Sequence, residues 1–185
     1  VSFGGVFLIF KGLKSLTLNN LNIDFNNQKQ NFSGLIWVSG DISIQGLTLT
    51  NVSFGEALLS FKDSQNLTLD TLSVNGTNQN SYLNGLIQAS NIQAQTQLKW
   101  VNVNGLEATP SSSDVGLISL IDAGDISIEE LSLTDVSFGG VLLSFKDSQS
   151  LDFNKVRIEF NNKNSYLYGL IQVSNIQTQT QLKSV

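Results

Sequence analysis

The stretch that decides the fold is LTLNNLNIDF, residues 16–25, because its pattern of side chains returns along the whole chain. Leu16 and Leu18 form an apolar pair that alternates with polar residues. A second pair, Leu21 and Ile23, follows after a step of two polar residues. Period-two alternation is typical of a β-strand with one buried face. The step shifts the alternation, so we expect the chain to turn a sharp corner there.

The same frame recurs along the sequence. After Leu16 it begins again, at unequal spacings, at Leu47, Leu67, Leu98, Leu131, Leu151 and Leu182. Longer blocks repeat at one constant spacing, here named the long offset, for example FKDSQ at residues 61–65 and 145–149. Internal repeats of this kind indicate a solenoid, in which each repeat is one turn of a coil. We therefore expect the leading leucines from Leu16 to Leu151 to stack as one buried column.

Each repeat contains two further short strands. One begins Gly-Leu-Ile, as at residues 34–39 and 85–90, and the other is Ile-Ser-Ile, as at residues 42–44 and 126–128. Asn and Asp tolerate the left-handed backbone of a sharp corner. The corner of successive repeats is accordingly predicted at Asn20, Asn51, Thr71, Asn102, Asp135 and Lys155.

These repeats predict an all-β fold, a parallel β-helix or β-solenoid. About six to seven rungs of roughly 20–33 residues are expected, with three short strands in each. The spacing varies because loops of different length can leave the stack at a corner without disturbing it. Residues 1–185 are expected to form a single solenoid segment of a longer repetitive chain or polymer.

The composition restricts the chemistry that the chain can carry out. His, Cys and Met are absent and Arg157 is the single arginine, which excludes a Ser-His-Asp triad and a thiolate metal site. The net charge of −5, from 10 basic and 15 acidic residues, disfavours nucleic acid as a partner. No apolar run approaches about 20 residues, the length of a membrane-spanning helix. The sequence favours a protein that is not an enzyme and has no cofactor and no transmembrane segment.

The rung length, the three strands per rung and the asparagine at one corner resemble the right-handed parallel β-helices of the pectin-lyase-like class. The resemblance covers essentially the whole chain and implies a β-helical fold. Members of that class that degrade polysaccharides carry carboxylate clusters with His or Arg in catalytic motifs, or Asp-bound calcium. This chain has no His and only one arginine, Arg157, so it cannot contain those catalytic motifs. The Asn- and Gln-rich repeats also resemble segments of very large repetitive surface proteins of protists.

Two acidic groups are the candidates for chemistry. Asp122 and Asp125 flank a short turn, and Asp41 holds the matching place in another repeat. A carboxylate pair could bind calcium or act as acid and base. No third carboxylate joins the pair in sequence, so a solvated turn is the favoured interpretation, and Glu129 and Glu130 are interpreted as an exposed edge. We predict no catalytic residue and no metal ligand.

Four sequons make Asn31, Asn51, Asn66 and Asn75 candidate sites of N-glycosylation. Random placement of the Asn residues among the Ser and Thr of this chain would give about as many, so their number does not indicate secretion. Asn31 and Asn75 are expected in accessible loops between rungs. Asn51 is expected at a strand corner, where its side chain could be needed inside.

The Gly-Leu-Ile strand is predicted to be apolar on both faces. Ile36 and Val38 should point inward, which leaves an outward-facing candidate lateral interface of Trp37, Leu35, Leu58, Leu86, Leu117, Leu142 and Leu170. A strand that is apolar on both faces is normally covered. Either the loops of the chain itself or another subunit could cover it.

The sequence supports two functions. The favoured one is a structural and assembly module of an extracellular or cell-surface fibre, coat or stalk, whose partners are copies of itself or further repeats of the same chain. The alternative is an adhesin or carbohydrate-binding β-helix without catalysis. Glycans would then be the partners, and the aromatic side chains available to contact them are Trp37, Tyr82, Tyr166 and Tyr168.

Overall fold

A computed structural model describes residues 6–25, 34–52, 57–76, 81–110, 112, 115–160 and 167–183. Within these residues all regular structure is β, and all strand pairs are parallel. The strands are β1 (Val6–Phe10), β2 (Ser15–Asp24), β3 (Gly34–Ser39), β4 (Asp41–Val52), β5 (Leu59–Gly76), β6 (Ser81–Tyr82), β7 (Ile87–Asn104), β8 (Glu107–Thr109), β9 (Gly116–Ile121), β10 (Asp125–Thr134), β11 (Ser137–Lys146), β12 (Ser150–Glu159), β13 (Leu167–Ser174) and β14 (Thr180–Lys183).

The strands stack into three long parallel ladders around one interior. The first ladder runs β1, β3, β5, β7, β9, β11, β13. The second runs β2, β4, β5, β7, β10, β12, β14, and the later halves of the same strands from β2 to β12 form the third. Strands β5 and β7, with 18 residues each, pass round two corners and contribute to all three ladders. The prediction of an all-β parallel solenoid with three strands per rung is therefore confirmed.

Apolar side chains stack in columns inside the coil. The second ladder carries two columns, one of Leu16, Ile42, Leu67, Thr96, Ile126 and Leu151, and one of Leu18, Ile44, Leu69, Leu98, Ile128 and Phe153. Beyond the corner, the third ladder carries the column of Leu21, Leu47, Leu72, Val101, Leu131 and Val156. Each turn thus packs on the turns before and after it, which is how a solenoid buries its core.

The predicted column of leading leucines is wrong, since its members fall in all three of these columns. Leu47 matches Leu16 by sequence, whereas the strand ladder pairs Ile42 with Leu16. Ile-Ser-Ile and Leu-Thr-Leu fill the same half of the frame equally well, because both alternate branched apolar and small polar side chains. An alignment of the turns by sequence similarity is therefore wrong here, and the backbone pairing between strands gives the correct alignment.

The corner between the second and third ladders is occupied by residues with positive φ. Its members are Asn20, Gly46, Thr71, Trp100, Glu130 and Lys155, with φ between 47° and 76°. The prediction is confirmed at Asn20, Thr71 and Lys155. Asn51 and Asp135 also have positive φ but lie at the end of the third ladder, and Asn102 is not among the positive-φ residues.

The turns are more regular in length than the spacing of the leading leucines indicates. The members of the Leu21 column, one in each turn, follow one another at nearly even intervals along the chain. Five steps separate the six members of this column, so the coil makes about five turns between Leu21 and Val156, which differs slightly from the predicted six to seven rungs. The long offset corresponds to the three turns from Leu72 to Val156.

Candidate functional site

In the described residues, the strands at both ends of the coil pair with another strand on one side only. Among the described residues, β1 and β2 pair only with β3 and β4, and β13 and β14 pair only with β11 and β12. Large apolar side chains are exposed on these turns, namely Phe7, Ile9, Leu13, Tyr168, Leu170 and Val173. A parallel strand whose edge and apolar side chains face solvent is a template for a further strand.

The candidate lateral interface is mostly interior. Five of its leucines are fully buried inside the coil, so their predicted outward direction is wrong: Leu35, Leu58, Leu86, Leu117 and Leu142. Two consecutive side chains point inward at the start of the strand, as at Leu35 and Ile36, and strict alternation begins only at Trp37. The chain turns into the first ladder at this point, which breaks the period of two. Leu170 is exposed, but it lies on the last turn of the coil.

The outward column of the first ladder has a different composition from the predicted one. Its members are Ile9, Trp37, Ser60, Gln88, Ser119, Ser144 and Gln172. Trp37 lies over Gly34, where a Cβ atom would be 2.5 Å from the indole nitrogen, so only glycine fits there. A groove of about 520 Å³ runs beside Trp37, with Lys62, Asp63 and Gln88 among its lining residues. Its aromatic and amide groups could contact a polar ligand.

A second tryptophan, which is not among the predicted site residues, occupies the corner between the second and third ladders. Trp100 has a φ of 47° and an exposed fraction of 49%. A bulky residue with left-handed backbone is an outlier, costing roughly 1–2 kcal/mol relative to ordinary geometry. The indole N–H donates a hydrogen bond to Glu130, which lies one turn further on in the same corner. The sequence does contain a signal for this site, namely a tryptophan at a corner where the other turns have small or polar residues.

Polar side chains surround the exposed Trp100 ring on both sides. A shallow depression of about 430 Å³ lies on one side, where the lining side chains are Asn19, Asn20, Gln45, Asp70 and Thr71. Another of about 510 Å³ lies on the other side, where they are Asn102, Glu130, Ser132, Lys155 and Arg157. An aromatic face rimmed by amide, hydroxyl and carboxylate groups has the chemistry needed to bind a sugar ring, with an apolar platform and many hydrogen-bonding partners.

The acidic candidates are engaged with neighbouring turns. Asp122 is exposed at a corner with a φ of 52°, and Asp125 accepts a hydrogen bond from Ser150 Oγ at 2.5 Å. Asp41 accepts from the backbone N–H groups of Gln65 and Asn66 at 2.6 and 3.0 Å. In the part of the chain that the structure describes, no group of three or more acidic, His or Cys side chains is placed to hold a metal ion.

Glu129 and Glu130 each face a lysine on an adjacent turn. Lys99 Nζ lies 4.0 Å from Glu129 Oε2, and Lys155 Nζ lies 2.5 Å from Glu130 Oε1. The hydrogen bond from Lys155 lowers the pKa of Glu130, and the same bond raises the pKa of Lys155. These pairs link successive turns at the surface, where solvent screening leaves such contacts a small contribution to stability.

The sequons differ in their surroundings. Asn66 and Asn75 are exposed, but the prediction that Asn75 lies in a loop is wrong, because it lies in β5 within the third ladder beside Thr50 and Asn104. Asn51 is half-buried with a φ of 58°, and its amide donates to Asp24 Oδ1 at 2.8 Å. Asn31 lies outside the described residues. Tyr166 lies outside them as well, whereas Tyr168 is 70% exposed.

Compared with family models, with characterised proteins and with solved structures, the chain matches none of them. The described residues also contain no helix that is long and apolar enough to cross a membrane. The described residues define a parallel β-solenoid whose terminal strands pair on one side only and whose tryptophan corner faces solvent.

Proposed function

We propose that the chain is a structural and assembly module, in which stacked solenoid turns build an extracellular or cell-surface fibre, coat or stalk. The observation that carries this proposal is the pair of open ends. In the described residues each end combines free strand edges with exposed apolar side chains, such as Ile9 at one end and Leu170 at the other. A free parallel edge beside exposed apolar side chains is a template for a further solenoid turn.

The repeat content supports the same function. Residues 136–183 reproduce much of residues 52–99, and a scaffold gains length from such copies whereas a binding or catalytic site usually interrupts them. The absence of His and the single Arg157 argue for a role without catalysis. We also propose that the chain is related to right-handed β-helices of the pectin-lyase-like class and to repetitive protist surface proteins. The extracellular location is part of the same proposal.

Charge placed on an open end tests the proposal. Leu170→Lys combined with Val173→Lys puts two cations on the last turn at positions that are already exposed, so the rod should still fold. Analytical ultracentrifugation and electron microscopy should show axial assemblies of the unaltered chain and their loss in this variant. Asn104→Lys, a lysine on an exposed lateral position, is the matched control and should assemble normally. A sharply monomeric unaltered chain would contradict the proposal.

The Trp100 corner favours a second candidate function, that of a carbohydrate-binding β-helix without catalysis. Its ring is half exposed and lies between two depressions rimmed by polar groups. Since the αL corner would accept Asn or Gly at lower conformational cost, the tryptophan is not explained by stability alone. Binding of a glycan to the ring would explain its presence.

Fluorescence of a single tryptophan tests this second function. In a Trp37→Phe variant, Trp100 is the remaining indole of the chain, so a bound sugar should shift its emission to shorter wavelength. A glycan array identifies the sugars to titrate. Trp100→Asn should abolish binding on the array while the thermal midpoint stays the same or rises. If Trp100→Asn binds glycans like the unaltered chain, the corner is not the site.

A further inference from the structure

Two segments of the chain are nearly the same in sequence but differ in what covers them. Residues 83–99, here named the covered copy, and residues 167–183, the open copy, differ at only three places: Asn84/Tyr168, Ala89/Val173 and Ala94/Thr178. Both stack on the preceding turn in the same register. Leu67 pairs with Thr96 below the covered copy, and Leu151 pairs with Thr180 below the open copy.

The covered copy receives residues 116–129, here named the covering segment, on its other side. Ile87 pairs with Ile118, and Leu98 pairs with Ile128, so apolar columns continue into the next turn. The N–H of Leu86 donates to the Leu117 carbonyl at 2.7 Å, and the N–H of Ile92 donates to the Asp122 carbonyl at 2.8 Å. The buried hydroxyl of Thr96 donates to the Ala123 carbonyl at 2.9 Å. Lys99 and Glu129 add an ion pair at the edge.

Equivalent residues of the open copy are exposed to solvent. Leu86 has an exposed fraction of 0% and its equivalent Leu170 one of 48%. Ala89 is 3% exposed, whereas Val173 is 41% exposed. Thr96 is buried and Thr180 is exposed. Since the sequences and the turn beneath are alike, the difference in exposure measures the surface that a further turn would cover.

We infer that the open copy is a docking face for a solenoid turn with the side-chain pattern of the covering segment. This deepens the proposed assembly function, on which it rests, by naming the kind of partner that the end accepts. Such a turn supplies apolar side chains at the places of Ile118, Leu120, Ile126 and Ile128. It also supplies carbonyl groups for the N–H groups of Leu170 and Ile176 and for the Thr180 hydroxyl, and an acidic residue opposite Lys183.

Gly124 explains why this kind of turn is selected. It has a φ of +60°, and a Cβ atom there would lie 3.0 Å from the Ile92 carbonyl oxygen and closer still to that of Ala94. The first turn of a second copy of the chain would present Lys14 at this place, because Leu16 and Ile126 share a column. A residue with a Cβ atom at this place, such as lysine, requires the backbone to shift away from those carbonyls. A turn with glycine at this place therefore fits the open copy more closely than the first turn of a second copy does, which stacks there only after a local shift.

An extended chain tests this inference. A copy of residues 102–135 is attached after Val185, which places a second covering segment in the sequence register of the first. Hydrogen exchange by NMR then reports on the open copy. The amide hydrogens of Leu170 and Ile176 should exchange at least about tenfold more slowly than in the unextended chain, because a docked turn removes them from water.

Two matched extensions of the same length are the controls. One carries Gly124→Lys in the attached copy, and the other attaches residues 135–168, whose matching apolar residues Leu143, Phe145 and Leu151 lie out of register with the open copy. Neither should slow exchange in the open copy. Equal protection by all three extensions, or none by the first, would overturn the inference. Ultracentrifugation of the unextended chain tests assembly separately. Axial assembly without protection by the covering pattern contradicts the inference alone, and protection in a chain that never assembles contradicts the proposed function alone.

Discussion

One buried hydroxyl group stands in a column that is otherwise apolar from Leu16 to Leu151. Thr96 lies between Leu67 and Ile126 in the interior, and its Oγ1 donates to the carbonyl of Ala123 across the corner of the next turn. A buried polar group is tolerated only when it is hydrogen-bonded. The hydrogen bond of Thr96 therefore fixes how the two turns are oriented, in addition to the packing between them. An apolar side chain at this position could only pack.

Thr96→Val should lower the free energy of unfolding by about 1–2 kcal/mol, because the shape is kept while the hydrogen bond to a buried carbonyl is lost. Thr180→Val is the matched control, since Thr180 occupies the equivalent place on the open last turn and is exposed. It should change stability by less than about 0.5 kcal/mol. Urea unfolding followed by circular dichroism measures both. Equal effects of the two substitutions would mean that the bond to Ala123 contributes nothing.

The ion pair between Lys155 and Glu130 should be visible in the titration of one carboxyl group. The pKa of Glu130 lies below its ordinary value of 4.5 in the folded chain, so the pair stabilises the fold above that pH. The contribution is lost as the pH falls through the folded-state pKa. The raised pKa of Lys155 gives the opposite limit, since its contribution is present below 10.5 and is lost as the pH rises through the folded-state pKa.

Carbon-13 NMR of the Glu130 carboxyl group should show a midpoint below 4.5, and Lys155→Gln should move that midpoint upward. Lys62→Gln, which removes an exposed lysine from a different ladder, should leave it in place. If Lys155→Gln has no effect, the hydrogen bond between the two side chains does not persist in solution.

At the scale of the strand, the frame of two apolar pairs separated by a corner could be predicted, but its alignment between turns could not. Alternation and the polar step depend on local geometry, so residues 16–25 already indicate two strands and a corner. Matching one turn with the next depends on backbone pairing between strands a full turn apart in the chain, and leucine and isoleucine satisfy it alike. The inward direction of the Leu35 side chain could not be predicted for a related reason. Two inward side chains in succession break the alternation at a bend.

Leu67→Asp should cost more than about 4 kcal/mol, because it places a charge without a partner in the interior of β5, which has neighbours on both sides. Thr68→Asp, on the adjacent and only half-buried position of the same strand, should cost less than about 1 kcal/mol. Thermal unfolding of both variants separates the two positions. A Leu67→Asp variant that keeps the original midpoint would show that this side chain is not interior.

At the scale of the whole molecule, the sequence indicated a repetitive solenoid segment but not a tryptophan corner. Repetition makes the last turn resemble an interior one, so its exposed apolar surface follows from the pattern. Trp100 could not be assigned to a corner until the correct alignment of turns placed it beside Thr71 and Glu130. The five buried leucines of the candidate lateral interface show the converse, since an apolar side chain in a repeat is first of all core.

Stability should fall from the middle of the coil toward its ends. Each turn contacts only its neighbours, so a terminal turn lacks one of the two interfaces that an interior turn has. Backbone amide hydrogens in β5 should therefore exchange more slowly than those in β1 and β13, by at least about tenfold. Native-state hydrogen exchange measures this gradient. Uniform protection from end to end would indicate that the chain unfolds as one cooperative unit.

The long offset corresponds to three turns, and this has a consequence for growth of the gene. A duplication of that length brings turns of similar sequence together at its junctions. With about 4.8 Å between neighbouring strands, each such duplication lengthens the rod by about 14 Å. Unequal recombination among the copies can thus change the length of the rod in fixed increments, without new sequence having to evolve.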